Sequence, residues 1–172
     1  MEQIILPAQG EVNYAEALEL AIEREIKAEF MYRTIAKYSK VQHLINKLRF
    51  LADEEQSHKE NLQDLFKKIV GKKKDFDSMV KFPDESKTGE LAKLNTPELL
   101  KIAVEKEKES NAYYVTLSLN SKEQALKDIF NYLAEEEATH RRMLELELKL
   151  YEEETPLSRP VETIPGIYRD WW

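Results

Sequence analysis

Two short stretches of the chain, 82 positions apart, share one pattern: residues 51–58 read LADEEQSH and residues 133–140 read LAEEEATH. Each stretch has a Glu and a His three residues apart, so both side chains lie on one face of a helix. The leucines around each motif recur in steps of three and four residues, which is the spacing of a buried helical stripe. The pattern therefore predicts that one Glu and one His of each stretch lie in the interior.

The repeat extends beyond these motifs at the same offset. Residues 21–32, AIEREIKAEFMY, align with residues 103–114, AVEKEKESNAYY. One unchanged offset through two helices predicts two helical hairpins of one design. The segment 71–95 between the hairpins is long enough for a crossover connection. The sequence therefore predicts an all-α four-helix bundle with one long crossover between helices two and three, which is the ferritin-like topology.

Capping residues and helix breakers give approximate helix bounds. We expect Asn13 to cap the first helix, Thr96 to cap the third and Ser121 to open the fourth. The predicted helices run from about 14 to 39, 41 to 70, 97 to 120, and 121 to just before 156. The expected domains are the bundle over 1–152, with its crossover at 71–95, and a tail over 153–172 that is rich in proline and aromatic residues.

Composition excludes several classes of protein. The formal net charge of -7 disfavours nucleic acid and anionic membranes as partners. The chain has no cysteine, which excludes disulfides, a thiol nucleophile and cysteine-ligated iron–sulfur clusters. No stretch approaches the ~18 apolar residues of a membrane span, and the first residues do not resemble a signal peptide. We therefore expect a cytoplasmic protein.

The predicted core stripes of the four helices carry six residues that commonly bind metals. These residues are Glu25, Glu55, His58, Glu107, Glu137 and His140. Each buried ion costs several kcal/mol, and four buried carboxylates also repel one another. Two divalent cations would balance four carboxylates if both imidazoles are neutral, and oxygen and imidazole ligands suit iron or manganese. The residues therefore predict a buried two-metal cluster bridged by carboxylates.

The arrangement resembles the rubrerythrin branch of the ferritin-like di-iron carboxylate proteins over all four helices, roughly residues 14–152. That family has a Glu followed seven residues later by a Tyr on helices one and three, and Glu-x-x-His on helices two and four. The resemblance implies terminal ligands at Glu25 and Glu107, bridging carboxylates at Glu55 and Glu137, one imidazole per metal from His58 and His140, and tyrosines hydrogen-bonded to carboxylates at Tyr32 and Tyr114.

Two features of the chain depart from the family pattern. Rubrerythrins carry a cysteine-ligated rubredoxin domain, whereas this chain has no cysteine. They also have an extra Glu one turn after the ligand of helix three, where this chain has Ser110. Di-metal binding is therefore implied more directly than peroxide reduction by the rubrerythrin route.

The resemblance implies a di-iron oxidoreductase, with manganese or a mixed pair as alternative metals. It would reduce hydrogen peroxide or oxygen with electrons from an external donor such as rubredoxin or a flavoprotein. A homodimer is also implied. Three other hypotheses stay open: a ferritin-like protein that oxidises and handles iron, a di-iron oxygenase acting on an organic substrate, and a metal-free scaffold.

Several other residues have simpler expected roles. Glu54, Glu135 and Glu136 are expected on the solvated face of their helices, and His43 at the surface. Glu29 flanks the predicted core stripe as a spare ligand. In the tail, Trp171 and Trp172 are expected to dock on the bundle or on a neighbouring subunit, with recognition of a partner protein as the alternative.

Overall fold

A computed structural model describes residues 14–84 and 88–154. Within these ranges the chain forms four α-helices and a short 3₁₀-helix, Glu90–Lys93. The α-helices are α1 (Tyr14–Tyr38), α2 (Gln42–Val70), α3 (Thr96–Asn120) and α4 (Gln124–Glu154). The expected cap at Asn13 and the expected docking of Trp171 and Trp172 lie outside the described residues.

The four helices form two hairpins. The α1 helix packs along α2, and α3 packs along α4, while α1 and α3 meet across the bundle. Segment 71–95 connects the two hairpins, as the repeat in the sequence predicts. The predicted all-α four-helix bundle with one long crossover is confirmed. None of the described helices is long and apolar enough to cross a membrane.

The start of α3 differs by one residue from the prediction. Asn95, not Thr96, is the N-cap, and its side chain accepts a hydrogen bond of 3.0 Å from the backbone N–H of Glu98. The Glu98 carboxylate in turn accepts a 2.9 Å hydrogen bond from the Asn95 backbone N–H. This reciprocal pair is a capping box, and it satisfies two backbone donors that no helical carbonyl can reach.

The start of α4 also differs from the prediction, because Ser121 ends α3 instead of opening α4. The Ser121 backbone N–H donates to the carbonyls of Leu117 and Ser118, at 3.0 and 3.2 Å. Its hydroxyl donates a 2.7 Å hydrogen bond to the Leu117 carbonyl. The chain therefore resumes a helix only at Gln124. The predicted end of α2 at residue 70 is confirmed, and the C-cap Gly71 has the positive φ of 73° that glycine adopts without strain.

The crossover packs on the bundle through most of its apolar residues. Phe76 is buried, and its ring centroid lies 5.1 Å from that of Phe66 on α2. The Phe82 ring lies 4.4 Å from Phe30 on α1. Val80 is half-buried against the same bundle, whereas Met79 is 57% exposed.

Two apolar clusters occupy the two ends of the bundle, and the predicted polar cluster lies between them. One end is filled by residues such as Leu18, Leu62 and Phe130, and the other by residues such as Leu48 and Leu144. The leucines of α2 are buried except Leu65, which is half-buried. Apolar packing at both ends therefore supplies the stability that allows charged side chains to occupy the middle.

Candidate metal centre

The six predicted metal-binding residues come together in the middle of the bundle. The α1 and α3 helices contribute one Glu each, and α2 and α4 each contribute a Glu and a His. Each residue is at most 2% exposed, and the six are Glu25, Glu55, His58, Glu107, Glu137 and His140. Mid-helix positions on rigid, packed helices hold these side chains in fixed positions relative to one another.

The ligand atoms divide into two overlapping groups of four. Within each group the donor atoms lie within 4.8 Å of one another. One group consists of Glu25, Glu55, His58 and Glu137, and the other of Glu55, Glu107, Glu137 and His140. Both groups share Glu55 and Glu137. Carboxylates shared in this way can bridge two ions ~3.5–4 Å apart, so the cluster fits a two-metal site.

Unpartnered buried atoms support that fit. Five side-chain atoms of the cluster are buried and have no hydrogen-bond partner among the described residues: Glu25 Oε2, Glu55 Oε2, His58 Nδ1, Glu107 Oε2 and Glu137 Oε1. A buried polar atom without a partner costs roughly 1–3 kcal/mol. Such atoms are rare in folded proteins, and five in one cluster fit a site that could hold a cation. Carboxylate oxygens and an imidazole nitrogen are suitable donors for iron or manganese.

Three carboxylate oxygens lie around the Nδ1 atom of His58. Its Nδ1 lies 3.6 Å from Glu25 Oε2, 3.5 Å from Glu55 Oε2 and 3.8 Å from Glu137 Oε1. These distances exceed those of good hydrogen bonds, yet all four atoms surround one point. A cation there would contact all of them.

Two tyrosines connect the halves of the repeat. The Tyr32 hydroxyl donates to Glu107 Oε1, and the Tyr114 hydroxyl donates to Glu25 Oε1. Each tyrosine therefore fixes the carboxylate of the other hairpin. The second oxygen of each carboxylate, Oε2, is one of the unpartnered atoms. Each hydroxyl thus holds one oxygen of a carboxylate, and the second oxygen could bind a cation.

The two imidazoles lie side by side between α2 and α4. The rings of His58 and His140 stack with centroids 5.7 Å apart and planes 15° apart. His140 Nδ1 lies 3.1 Å from Glu55 Oε1, so its contact with the shared carboxylate is closer than those of His58. Tyr132 on α4 is 49% exposed. Its ring packs edge to face with the His58 ring, and the two ring centroids are 6.3 Å apart.

The cluster shifts the pKa values of its four carboxyl groups in opposite directions. Burial, and then repulsion by Glu55, raises the pKa of Glu25, Glu107 and Glu137. Burial also acts to raise the pKa of Glu55, but the hydrogen bond from His140 and the nearby imidazole of His58 outweigh burial and hold that pKa below its usual range. Glu55 is therefore the carboxyl group that ionises most readily, and the other three tend to retain protons when no metal is bound.

The two imidazoles compensate for that carboxylate. Burial acts to lower the pKa of His58, but Glu25 and Glu55 outweigh it and raise the pKa to about 10. The pKa of His140 is also raised, because the hydrogen bond to Glu55 outweighs burial. In the metal-free chain, protons on the histidines and carboxyl groups take the place of cationic charge in the cluster.

Metal binding should therefore release protons and weaken as the pH falls. Glu25, Glu137 and His58 have raised pKa values, so they hold protons in the metal-free protein that a cation must displace. Lowering the pH adds competing protons, and each proton released weakens binding about tenfold per pH unit. Calorimetric titration with Mn(II) in buffers of different ionisation enthalpy measures this release. Binding without proton release, and with equal affinity at pH 6 and pH 8, would contradict the described charge balance.

The structure also shows charged residues that the sequence analysis did not place in the interior. Lys106 is 1% exposed, and burial followed by repulsion from Arg24 lowers its pKa to about 7. Arg24 and Lys106 occupy equivalent positions of the 82-residue repeat. Glu147 on α4 is also buried, and it accepts contacts from Lys47 and, at 3.2 Å, from His43.

Of the residues with simpler expected roles, His43 and Glu135 lie where expected, and three others do not. The His43 side chain is 68% exposed and Glu135 is exposed. Glu54 and Glu136 are instead half-buried, and their carboxylates lie within 4.8 Å of a His140 nitrogen. They are therefore not simply solvated. Glu29 pairs with Arg33 at 2.9 Å, away from the cluster, so the structure does not support it as a spare ligand.

The fold and the buried cluster together fit one class of protein, the four-helix bundles that bind two metal ions through carboxylates. Comparison with protein families places the chain more narrowly. The rubrerythrin family model matches residues 16–148 and, in a second match, residues 98–168. The chain belongs to the rubrerythrin family.

A solved structure supports the same fold. A hypothetical protein from Pyrococcus furiosus is 27% identical to this chain, with a TM-score of 0.65. The similarity covers 81% of this chain and 90% of that protein. No curated protein matches the chain.

Proposed function

We propose that this protein is a di-iron oxidoreductase that reduces hydrogen peroxide, or oxygen, with electrons from an external donor. The observation that carries the proposal is the pair of overlapping ligand groups that share Glu55 and Glu137. Membership of the rubrerythrin family supports it. Peroxide reduction consumes two electrons and two protons and yields two waters. Two bound iron ions would supply the two electrons.

The negative charge of the four carboxylates supports the loss of electrons from two bound iron ions. Four carboxylates balance two divalent ions, so each electron removed leaves a positive charge that these groups must stabilise. Glu25 and Glu107 each belong to one group only, and the tyrosines hold one oxygen of each. Burial, and then the charge of Glu107, raises the pKa of Tyr32, so this phenol stays protonated and continues to donate its hydrogen bond.

The electrons must come from outside this sequence or from another cofactor, because the chain has no cysteine to hold an iron–sulfur donor. We propose rubredoxin or a flavoprotein as the donor. The native metal is proposed to be iron, because O–O bond reduction needs a metal that changes oxidation state. Manganese or a mixed pair would also fit the oxygen and nitrogen donors.

Stopped-flow oxidation tests this proposal. The protein is loaded anaerobically with two Fe(II) per chain and mixed separately with peroxide and with oxygen. We expect peroxide to oxidise the site faster than oxygen, and a reductant to restore the starting spectrum with the iron retained. The Glu135→Gln variant, altered at an exposed residue beside the motif, should behave like the unmodified protein. Faster oxidation by oxygen, with growing iron content over repeated additions, would instead indicate an iron-handling protein.

A further inference from the structure

Exposed apolar side chains gather where the end of α4 lies beside the start of α2. Leu146 and Leu150, one helical turn apart on α4, are 66% and 59% exposed. Glu147, between them, contacts Lys47 of α2. Phe50 follows Lys47 by three residues, so it lies on the same side of α2, and it is 52% exposed. We call Phe50, Leu146 and Leu150 the α2/α4 apolar face.

Grouped apolar residues of this kind mark an interaction site more often than single exposed residues do. The stability of the bundle does not require them at these positions, since more than half of each side chain is in contact with water. A polar side chain would serve equally well on a simple solvated face. The α2/α4 apolar face is therefore explained best by another apolar segment that covers it.

The chain itself supplies such a segment next to this face. The α4 helix ends at Glu154, four residues after Leu150, and 18 residues follow it. An extended, proline-containing segment of that length spans up to about 56 Å. The distance along α4 from its end back to Leu146 is only about 12 Å. The apolar residues of the segment are Leu157, Val161, Ile164, Ile167, Tyr168, Trp171 and Trp172.

We propose that residues 155–172 fold back along the bundle and pack on the α2/α4 apolar face, with Trp171 and Trp172 as anchors. Tryptophan is mostly buried in folded proteins and dominates the energetics of contact surfaces. A tethered segment meets this face at an effective concentration in the millimolar range, far above that of a second copy at micromolar protein. The chain's own tail is therefore favoured over a neighbouring molecule. The inference does not depend on the metal or on the proposed function.

Tryptophan fluorescence of the full chain tests this inference, because the only two tryptophans are at positions 171 and 172. We expect emission at shorter wavelength than that of a solvated tryptophan, together with weak quenching by acrylamide. The Leu146→Asp/Leu150→Asp variant should shift the emission to longer wavelength. Its ratio of docked to undocked tail should fall at least about tenfold, which corresponds to about 1.4 kcal/mol.

Two further variants make the test specific. Phe50→Asp changes the same face from the other helix and should produce the same shift. Leu119→Asp is the matched control, because Leu119 is 78% exposed near the end of α3, at the opposite end of the bundle. It should leave the emission unchanged. Helical circular dichroism confirms that each variant is folded.

Three results would overturn the inference. One is emission of a fully solvated tryptophan in the unmodified chain. A second is short-wavelength emission that the three α2/α4 substitutions leave unchanged, which would mean that the tail docks elsewhere. The third is emission that moves to longer wavelength on hundredfold dilution, which would identify a second copy as the occupant.

Discussion

Replacing Glu55 with alanine should abolish binding of both metal ions. Glu55 belongs to both ligand groups, so its loss removes one donor from each ion and leaves three protein ligands per site. Even partners outside the ligand set cost about 10–100-fold in metal affinity, so we expect each ion to bind at least about 100-fold more weakly. Glu137→Ala should have the same effect, because Glu137 is the other shared carboxylate.

Two variants serve as comparisons for this prediction. Glu25→Ala removes a ligand from one group only, so one ion should remain bound with little loss of affinity. Glu135→Ala changes an exposed carboxylate two residues from Glu137 and should retain two ions. Elemental analysis after loading and desalting gives the metal content of each variant. If Glu55→Ala and Glu135→Ala retained the same metal content, Glu55 would not bridge the two sites.

Removing the metal should lower the melting temperature by about 10 °C. A ligand that binds only the folded state adds RT ln(1 + [L]/Kd), about 4 kcal/mol at a thousandfold excess. For a domain of this size each kcal/mol corresponds to roughly 2–4 °C. Calorimetry or circular dichroism with Mn(II) and with a chelator measures the difference. Equal melting temperatures in the two conditions would argue against a buried metal centre.

The size of this difference should depend on pH. The raised pKa values of Glu25, Glu137 and His58 mean that the folded, metal-free protein binds more protons than the unfolded chain near neutral pH. Its stability therefore falls as the pH rises toward about 10, the pKa of His58. Metal binding strengthens over the same range. The increase in melting temperature on metal binding should thus be larger at pH 8 than at pH 6.

Much of the fold and cluster could be predicted from the sequence because one offset relates both hairpins. Residues three apart in a helix lie on one face, so Glu55 and His58 were predicted to be buried together. The repeat predicts the same for Glu137 and His140, and all four residues are buried. Helix ends were harder, because neighbouring residues such as Asn95 and Thr96 are both good caps. Only the position of the Glu98 backbone N–H decides between them.

Contacts between hairpins could not be predicted in the same way. The offset places Tyr32 and Tyr114 on the core stripes, but it does not say which carboxylate each hydroxyl reaches. The hydrogen bond that Tyr32 of one hairpin donates to Glu107 of the other follows from how α1 crosses α3. Lys106 lies in the alternating run EKEKE, which is typical of a solvated helix, and its burial also depends on that crossing.

The number of iron ions that the chain retains tests the central claim of one closed, two-ion centre most directly. Fe(II) is added aerobically in large excess, unbound iron is removed on a desalting column, and iron is counted per chain. The shared Glu55 and Glu137 and the two overlapping ligand groups predict two ions per chain. Fewer than one ion per chain would contradict a two-metal centre, and tens of ions per chain would show that the protein stores iron.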